Sequence, residues 1–171
     1  MRALRIAARV LCLVLSAAFV VGCGAGRSLF GRKRGVTKQV SIEWRHLVVD
    51  SGTCLRCGET GRTLDTVVAD LNRELAPAGV KVAFSEVKLG PERIAESNSI
   101  LFNNVPLESL LPDLRVVYNT CQSCCGMVGK PVECRAVEFR GKTYDEVPEA
   151  AIRAAAFKAA GLTAEPVRKM P

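Results

Sequence analysis

The 171-residue chain contains a single histidine. His46 lies between Trp44 and Val48 in an apolar stretch, where a packed or edge side chain is the ordinary reading. No catalytic cysteine–histidine pair can be assembled without it. A glycine-rich phosphate loop, a Ser–His–Asp order and paired glutamates suited to acid–base chemistry are also missing. Basic residues are not interleaved with aromatic ones along any face, so nothing argues for nucleic-acid binding. Beyond residues 10–21 there is no apolar run that approaches a bilayer-spanning length. Nor is there any internal repeat except a recurring Cys-x-x-Cys. What the chain does have is sulfur: eight cysteines.

The first 22 residues read as an export signal rather than as fold. Arg2, Arg5 and Arg9 precede the twelve-residue apolar run, which ends in Gly22-Cys23. A small residue directly before cysteine, after such a run, resembles a bacterial lipobox. That resemblance implies cleavage before Cys23 and lipid attachment to it. Loss of residues 1–22 removes three arginines and no acid, and the formal charge falls from +7 to +4. The remaining positive charge is concentrated in residues 26–35, "GRSLFGRKRG", within a flexible basic tether at 23–40. Its cations suit anionic headgroups as well as water.

Residues 41–161 have the length of one compact domain, and 162–171 form a loose tail. Residues 41–49, "SIEWRHLVV", alternate and then become continuously apolar, the mark of a strand entering a core. Leu64, Val67, Val68, Leu71 and Leu75 fall on one helical stripe. Thr60 or Thr63 is placed to cap its start, and Pro77 with Gly79 to stop it. Residues 80–89 alternate as a second strand, and "GPERIAES" suits a short helix with Pro91 in its first turn. Residues 99–107 read as a third strand, an Asn-Asn turn and a short partner strand. "ESLLPDL" makes a weak helical turn, and residues 116–130 show no clear periodicity. The stretch "VECRAVEFRGKTYDEV" reads as a hairpin turning at Arg140-Gly141. Residues 148–160 form an alanine-rich helix closed by Gly161. Strands alternating with helices predict a layered α/β domain.

Setting aside Cys12 in the signal and Cys23, six cysteines remain: Cys54, Cys57, Cys121, Cys124, Cys125 and Cys134. In an exported chain an even set normally means disulfides, and six thiols permit about fifteen pairings. The pair Cys54 and Cys57 precedes the striped helix. There the helix dipole and free amides stabilise a thiolate that can attack a disulfide, and the second thiol can resolve the product. Arg56, between them, is placed to lower the thiolate pKa further. Cys121, Cys124, Cys125 and Cys134 suit disulfides, with Cys124 and Cys125 too close in sequence to pair without strain. They also suit thiolate coordination of Zn, Cu(I) or a metalloid, a reading that ranks below disulfides or exchange because an oxidising compartment disfavours free thiolates. Asp65 and Asp70 read as solvated helix charges, Tyr144 and Asp145 as capping groups, and Asp50 as a proton acceptor beside the dithiol.

The stretch "VVDSGTCLRCGETGRTLDTVVADLNREL" resembles the first strand, active-site loop and first helix of the thioredoxin-like superfamily. The segments "IEWRHL", "CLRCGETGRTLD", "KLGPERIAESNSILFNNVPLE", "CQSCCG" and "YDEVPEAAIR" are similar to a bacterial thioredoxin-like family known as domain of unknown function 2703. Together they cover roughly residues 41–161. The resemblance implies a three-layer thioredoxin-like α/β domain with a cysteine-rich insert before the last hairpin and helix. In it Cys54 attacks and Cys57 resolves. Thr53 stands where thioredoxins carry tryptophan. Asn98-Ser99-Ile100 stands where they carry a cis-proline, a change that opens such sites to metal.

The leading expectation is therefore a lipid-anchored protein of the bacterial cell envelope, facing the periplasm or exterior. It would exchange thiols and disulfides with a cysteine-containing exported protein or a small thiol, and would require no cofactor. The alternative is a non-catalytic binder of a soft metal or metalloid that uses both cysteine clusters.

Overall fold

The computed structural model describes residues 38–163. The proposed signal peptide, Cys23, most of the tether and residues 164–171 lie outside the described residues.

The first strand, β1 (Lys38–Leu47), buries Val40, Ile42, Trp44 and His46 on one face, as its alternation predicts. It leads through a tight turn, in which Val49 and Gly52 exchange backbone hydrogen bonds, into helix α1 (Leu55–Leu75). The striped residues Leu64, Val67, Leu71 and Leu75 are fully buried, each contributing on the order of 1.5–3 kcal/mol. The helix begins earlier than the sequence suggests. Cys54, rather than Thr60 or Thr63, is its N-cap. Thr60 instead sits inside the helix, fully buried, and its hydroxyl accepts the Val147 amide at 3.1 Å. At the other end Pro77 lies in a 3-10 turn, and Gly79 reverses the chain with φ 69°.

Strand β2 (Val80–Leu89) returns parallel to β1. Strand β3 (Ser99–Phe102) runs antiparallel to β1 and turns at Asn103-Asn104 into β4 (Val105–Pro106). The resulting sheet has the order β2-β1-β3-β4. On the edge strand β2, the Asn72 amide takes the place of a neighbouring strand. It accepts from Val82 N and donates to Val82 O, both at 3.0 Å.

After a single helical turn, α2 (Leu107–Leu110), comes a second antiparallel sheet of order β5-β6-β7. Its strands are β5 (Leu114–Thr120), β6 (Glu133–Phe139) and β7 (Lys142–Tyr144). The expected hairpin is β6-β7, turning where Arg140 and Gly141 both have positive φ. The segment that lacked periodicity, residues 116–130, holds most of β5 and a short helix, α3 (Gln122–Val128). A last helix, α4 (Glu149–Ala159), packs against α1. This is a mixed α/β domain consistent with the thioredoxin-like fold, with the cysteine-rich segment ahead of the last hairpin and helix.

One close approach governs how α1 lies on β1. The Trp44 ring stacks on His46, with centroids 3.9 Å apart and planes within 5°. Its far edge meets Gly61, where an added Cβ would lie 2.8 Å from Trp44 Cη2. At Gly58 the nearest atom, Thr53 Cγ2, is 3.9 Å away. Replacing helical glycine by alanine ordinarily stabilises by up to about 1 kcal/mol, whereas overpacking costs about 1–3 kcal/mol. Urea denaturation should therefore show Gly58→Ala as stabilising and Gly61→Ala as destabilising; equal effects would contradict this packing.

Candidate functional site: a buried thiol cluster

The two Cys-x-x-Cys pairs occupy equivalent positions at helix starts, but only Cys54 accepts a capping bond, from its own Cys57 amide. Cys54 is the N-cap of α1 and Cys57 its third residue; Cys121 is the N-cap of α3 and Cys124 its third residue. The fold brings these two helix starts together. The Sγ atoms of Cys54, Cys121 and Cys124 all lie within 4.8 Å of one another, and the residues are 1%, 5% and 0% exposed. The Leu55 amide, at the start of α1, donates to Ser123 Oγ in α3 at 3.2 Å. Cys134, on β6, is buried beside them, next to Cys124 and Cys121. All six cysteines are free thiols.

The adjacent Cys124 and Cys125 point to different surroundings. Cys124 faces the cluster, while Cys125 Sγ accepts the Val132 amide at 3.3 Å and so holds the loop after α3. A surface depression borders Cys125, Gly126 and Lys130, and its lining does not include Cys54. The thiol cluster is thus an interior site rather than an open cleft.

The two ends of the first dithiol differ in charge state. Hydrogen bonds from the Cys124 and Cys57 thiols hold Cys54 far below the ordinary thiol range, at about 2, against the opposing effect of burial. The Cys57 amide, 3.4 Å from Cys54 Sγ, adds to this. Cys57 is pushed far above that range, first because its proton is held by Cys54 and then by burial. Cys124 is likewise raised, by the bonds it donates to Cys134 and then Cys54. Cys134 is lowered to about 7, chiefly by Cys124, with Arg56 assisting.

Arg56 is buried. Its guanidinium donates to the carbonyls of Cys134 and Arg135, at 3.2 and 3.3 Å, and pairs with Asp145 at 3.0 Å. Its charge therefore acts on Cys134, while Cys54 is stabilised by neighbouring thiols and the helix amide. Asp145, read from sequence as a capping group, is the partner of that arginine. Asp50 occupies the tight turn before Cys54 with φ 48°, an exposed position. Thr53 ties the loop to β1, donating to Leu47 O at 2.7 Å and sitting 3.3 Å from His46 Nδ1. Burial lowers the His46 pKa despite the charge of Glu86, which suits a packed neutral imidazole.

Sequence reasoning missed Ser97. Its Oγ accepts the Leu47 amide at 2.9 Å, which leaves its proton free for Cys57 Sγ at 3.3 Å. It stands just before Asn98, which has φ 61° and accepts from Trp44 Nε1 at 3.4 Å. The superfamily's cis-proline position pointed to this stretch, one residue away; no local motif marks the serine itself.

The fold and site thus define an α/β domain built around a buried thiol cluster. The chain belongs to the family described as domain of unknown function DUF2703, whose model matches residues 40–156. It is similar to an uncharacterized protein of Archaeoglobus fulgidus, at 39% identity over 104 residues, which cover 58% of this chain and 72% of the relative. No solved structure matches the chain.

Two outcomes follow for the reduced protein. Thiolates absorb in the ultraviolet and are present above their pKa. One such signal should persist far into acid and vanish in Cys54→Ser, and a second should titrate near pH 7 and vanish in Cys134→Ser. A single transition in the ordinary thiol range would contradict the assigned charge states. Ser97→Ala should cost about 1–3 kcal/mol in chemical denaturation, because it strands the buried Leu47 amide; an unchanged midpoint would contradict that role.

Proposed function

We propose that this chain is a thioredoxin-like protein whose cysteine cluster captures a soft, thiophilic ion. The observation that carries this reading is the convergence of Cys54, Cys121 and Cys124, three buried and unbridged sulfurs within 4.8 Å of one another. Thiolates around a zinc-sized ion at about 2.3 Å sit about 3.8 Å apart, so closure requires contraction of about 1 Å at most. Soft sulfur donors favour Zn, Cu(I) or a thiophilic metalloid over hard cations. The start of α1 favours an ionised Cys54, whose Sγ accepts the Cys57 amide at 3.4 Å. Burial supports a small ligand as well, because a disulfide on a protein partner has no approach to Cys54 while α3 covers it.

Thiol–disulfide exchange is the second reading, favoured by the contrast between a depressed Cys54 and a raised Cys57. In that reading Cys54 attacks and Cys57 resolves the mixed disulfide. The substrate is a small thiol compound, or a cysteine-containing exported protein that reaches the site after α3 moves. The N-terminal sequence supports a lipid anchor at Cys23 and residence in the bacterial cell envelope. Among the described residues no helix is long and apolar enough to cross a membrane.

Mass spectrometry with alkylation separates the two readings. A bound thiophilic ion should shield Cys54, Cys121 and Cys124 from alkylation and leave Cys125 reactive, with one ion per chain. Insulin reduction that is lost in Cys54→Ser, without any retained ion, would favour exchange instead. Cysteines locked in bridges that resist reduction would defeat both.

A further inference from the structure

We infer that the ion this site is built to hold is a trivalent metalloid, arsenic(III) or antimony(III), bound by Cys54, Cys121 and Cys124. The inference rests on the soft-ion reading and narrows it by ligand count and charge.

The ligand count is three. Among the described residues the group of mutually close donor atoms contains those three sulfurs and no histidine or carboxylate. Cys57 Sγ lies 3.3 Å from Ser97 Oγ and Cys125 Sγ takes the Val132 amide at 3.3 Å, and neither belongs to the close group. Cys134 lies outside the close group and packs against Cys124 from β6. Structural zinc sites are almost always four-coordinate. Here solvent is shut out as a fourth ligand, since none of the three cysteines is more than 5% exposed, and a four-coordinate ion would have to draw Cys134 in from β6. A trivalent metalloid needs no fourth ligand, because its lone pair occupies that direction.

Charge points the same way. Three thiolates around a trivalent centre are neutral, whereas a divalent ion leaves one negative charge and Cu(I) leaves two. Uncompensated charge in a buried site is costly. The charged groups facing the cluster do not balance it. Arg56 is already paired with Asp145 and two carbonyls. His46 is neutral by burial, and its outer nitrogen faces Glu86 at 3.5 Å.

The capture step balances without an electron acceptor. Arsenous acid brings three As–OH bonds; three S–As bonds form and three As–O bonds break. Each hydroxide leaves as water with one proton, taken from the thiol that replaces it, or from solvent where that sulfur is already a thiolate. Arsenic remains trivalent and no cysteine is oxidised.

The test is anaerobic titration of the reduced, full-length protein with arsenite, zinc and Cu(I) in separate arms, joined to arsenic X-ray absorption. The expected result is one arsenic per chain with three sulfur neighbours and no oxygen, retained against excess zinc. Cys54→Ser, Cys121→Ser and Cys124→Ser should each lose that one-to-one complex, while Cys125→Ser keeps it. The absorption measurement on the unaltered protein decides the matter even where a variant fails to fold. Two sulfurs and an oxygen around arsenic would overturn the three-ligand assignment. Zinc or Cu(I) held one-to-one while arsenite is rejected would overturn the metalloid inference and leave the soft-ion reading standing. Failure of all three ions would remove both.

Discussion

The sulfur cluster depends on one buried cation. Arg56 lies in the first turn of α1, yet its guanidinium reaches the carbonyls of Cys134 and Arg135 on β6 and the carboxylate of Asp145 beyond β7. It therefore joins the helix of the first sheet to the strand carrying Cys134 in the second. Without that tie, the buried Cys134 carbonyl would lose this donor, a cost of about 1–3 kcal/mol, and the half-buried Arg135 carbonyl would lose it at smaller cost. With it, the start of α1 is fixed against the start of α3, and Leu55 N can meet Ser123 Oγ. The charge of Arg56 is partnered, so it stabilises structure without acting as a free counter-ion for sulfur.

The resulting geometry departs from an exposed dithiol. Both Cys-x-x-Cys pairs place one cysteine at a helix N-cap and the next inside the first turn, and the fold brings Cys54, Cys121 and Cys124 together. The crowding of the sulfurs drives Cys54 down and Cys57 and Cys124 up. Such mutual polarisation keeps one thiolate ready in a site sealed from bulk solvent.

Much of the frame was legible in the sequence because it is set by local rules. The alternation of β1, the stripe of α1, the Pro77–Gly79 stop, the Asn103-Asn104 turn and the Arg140-Gly141 hairpin all follow from periodicity and φ preference. Other features had no local signal. Cys54 was not read as a cap because cysteine is a weak acceptor, while Thr60 offered a conventional hydroxyl that the structure spends on Val147. Strand β5 and helix α3 were hidden by glycine and clustered cysteine, which blur both periods. The meeting of Cys54 with Cys121 and Cys124 spans more than sixty residues and is created by the packing of two sheets. No spacing rule encodes it. Ser97 was invisible for the same reason, since its role exists only where β1 and the loop before β3 come together.

Disulfide mapping after brief, limited oxidation of the reduced protein tests most directly whether the two cysteine clusters form one site. Sulfurs this close should yield peptides linking Cys54 to Cys121 or Cys124, alongside any local Cys54–Cys57 bridge. Bridges confined to Cys54–Cys57 and to the residues 121–134, with no cross-link between the two regions, would contradict the shared cluster.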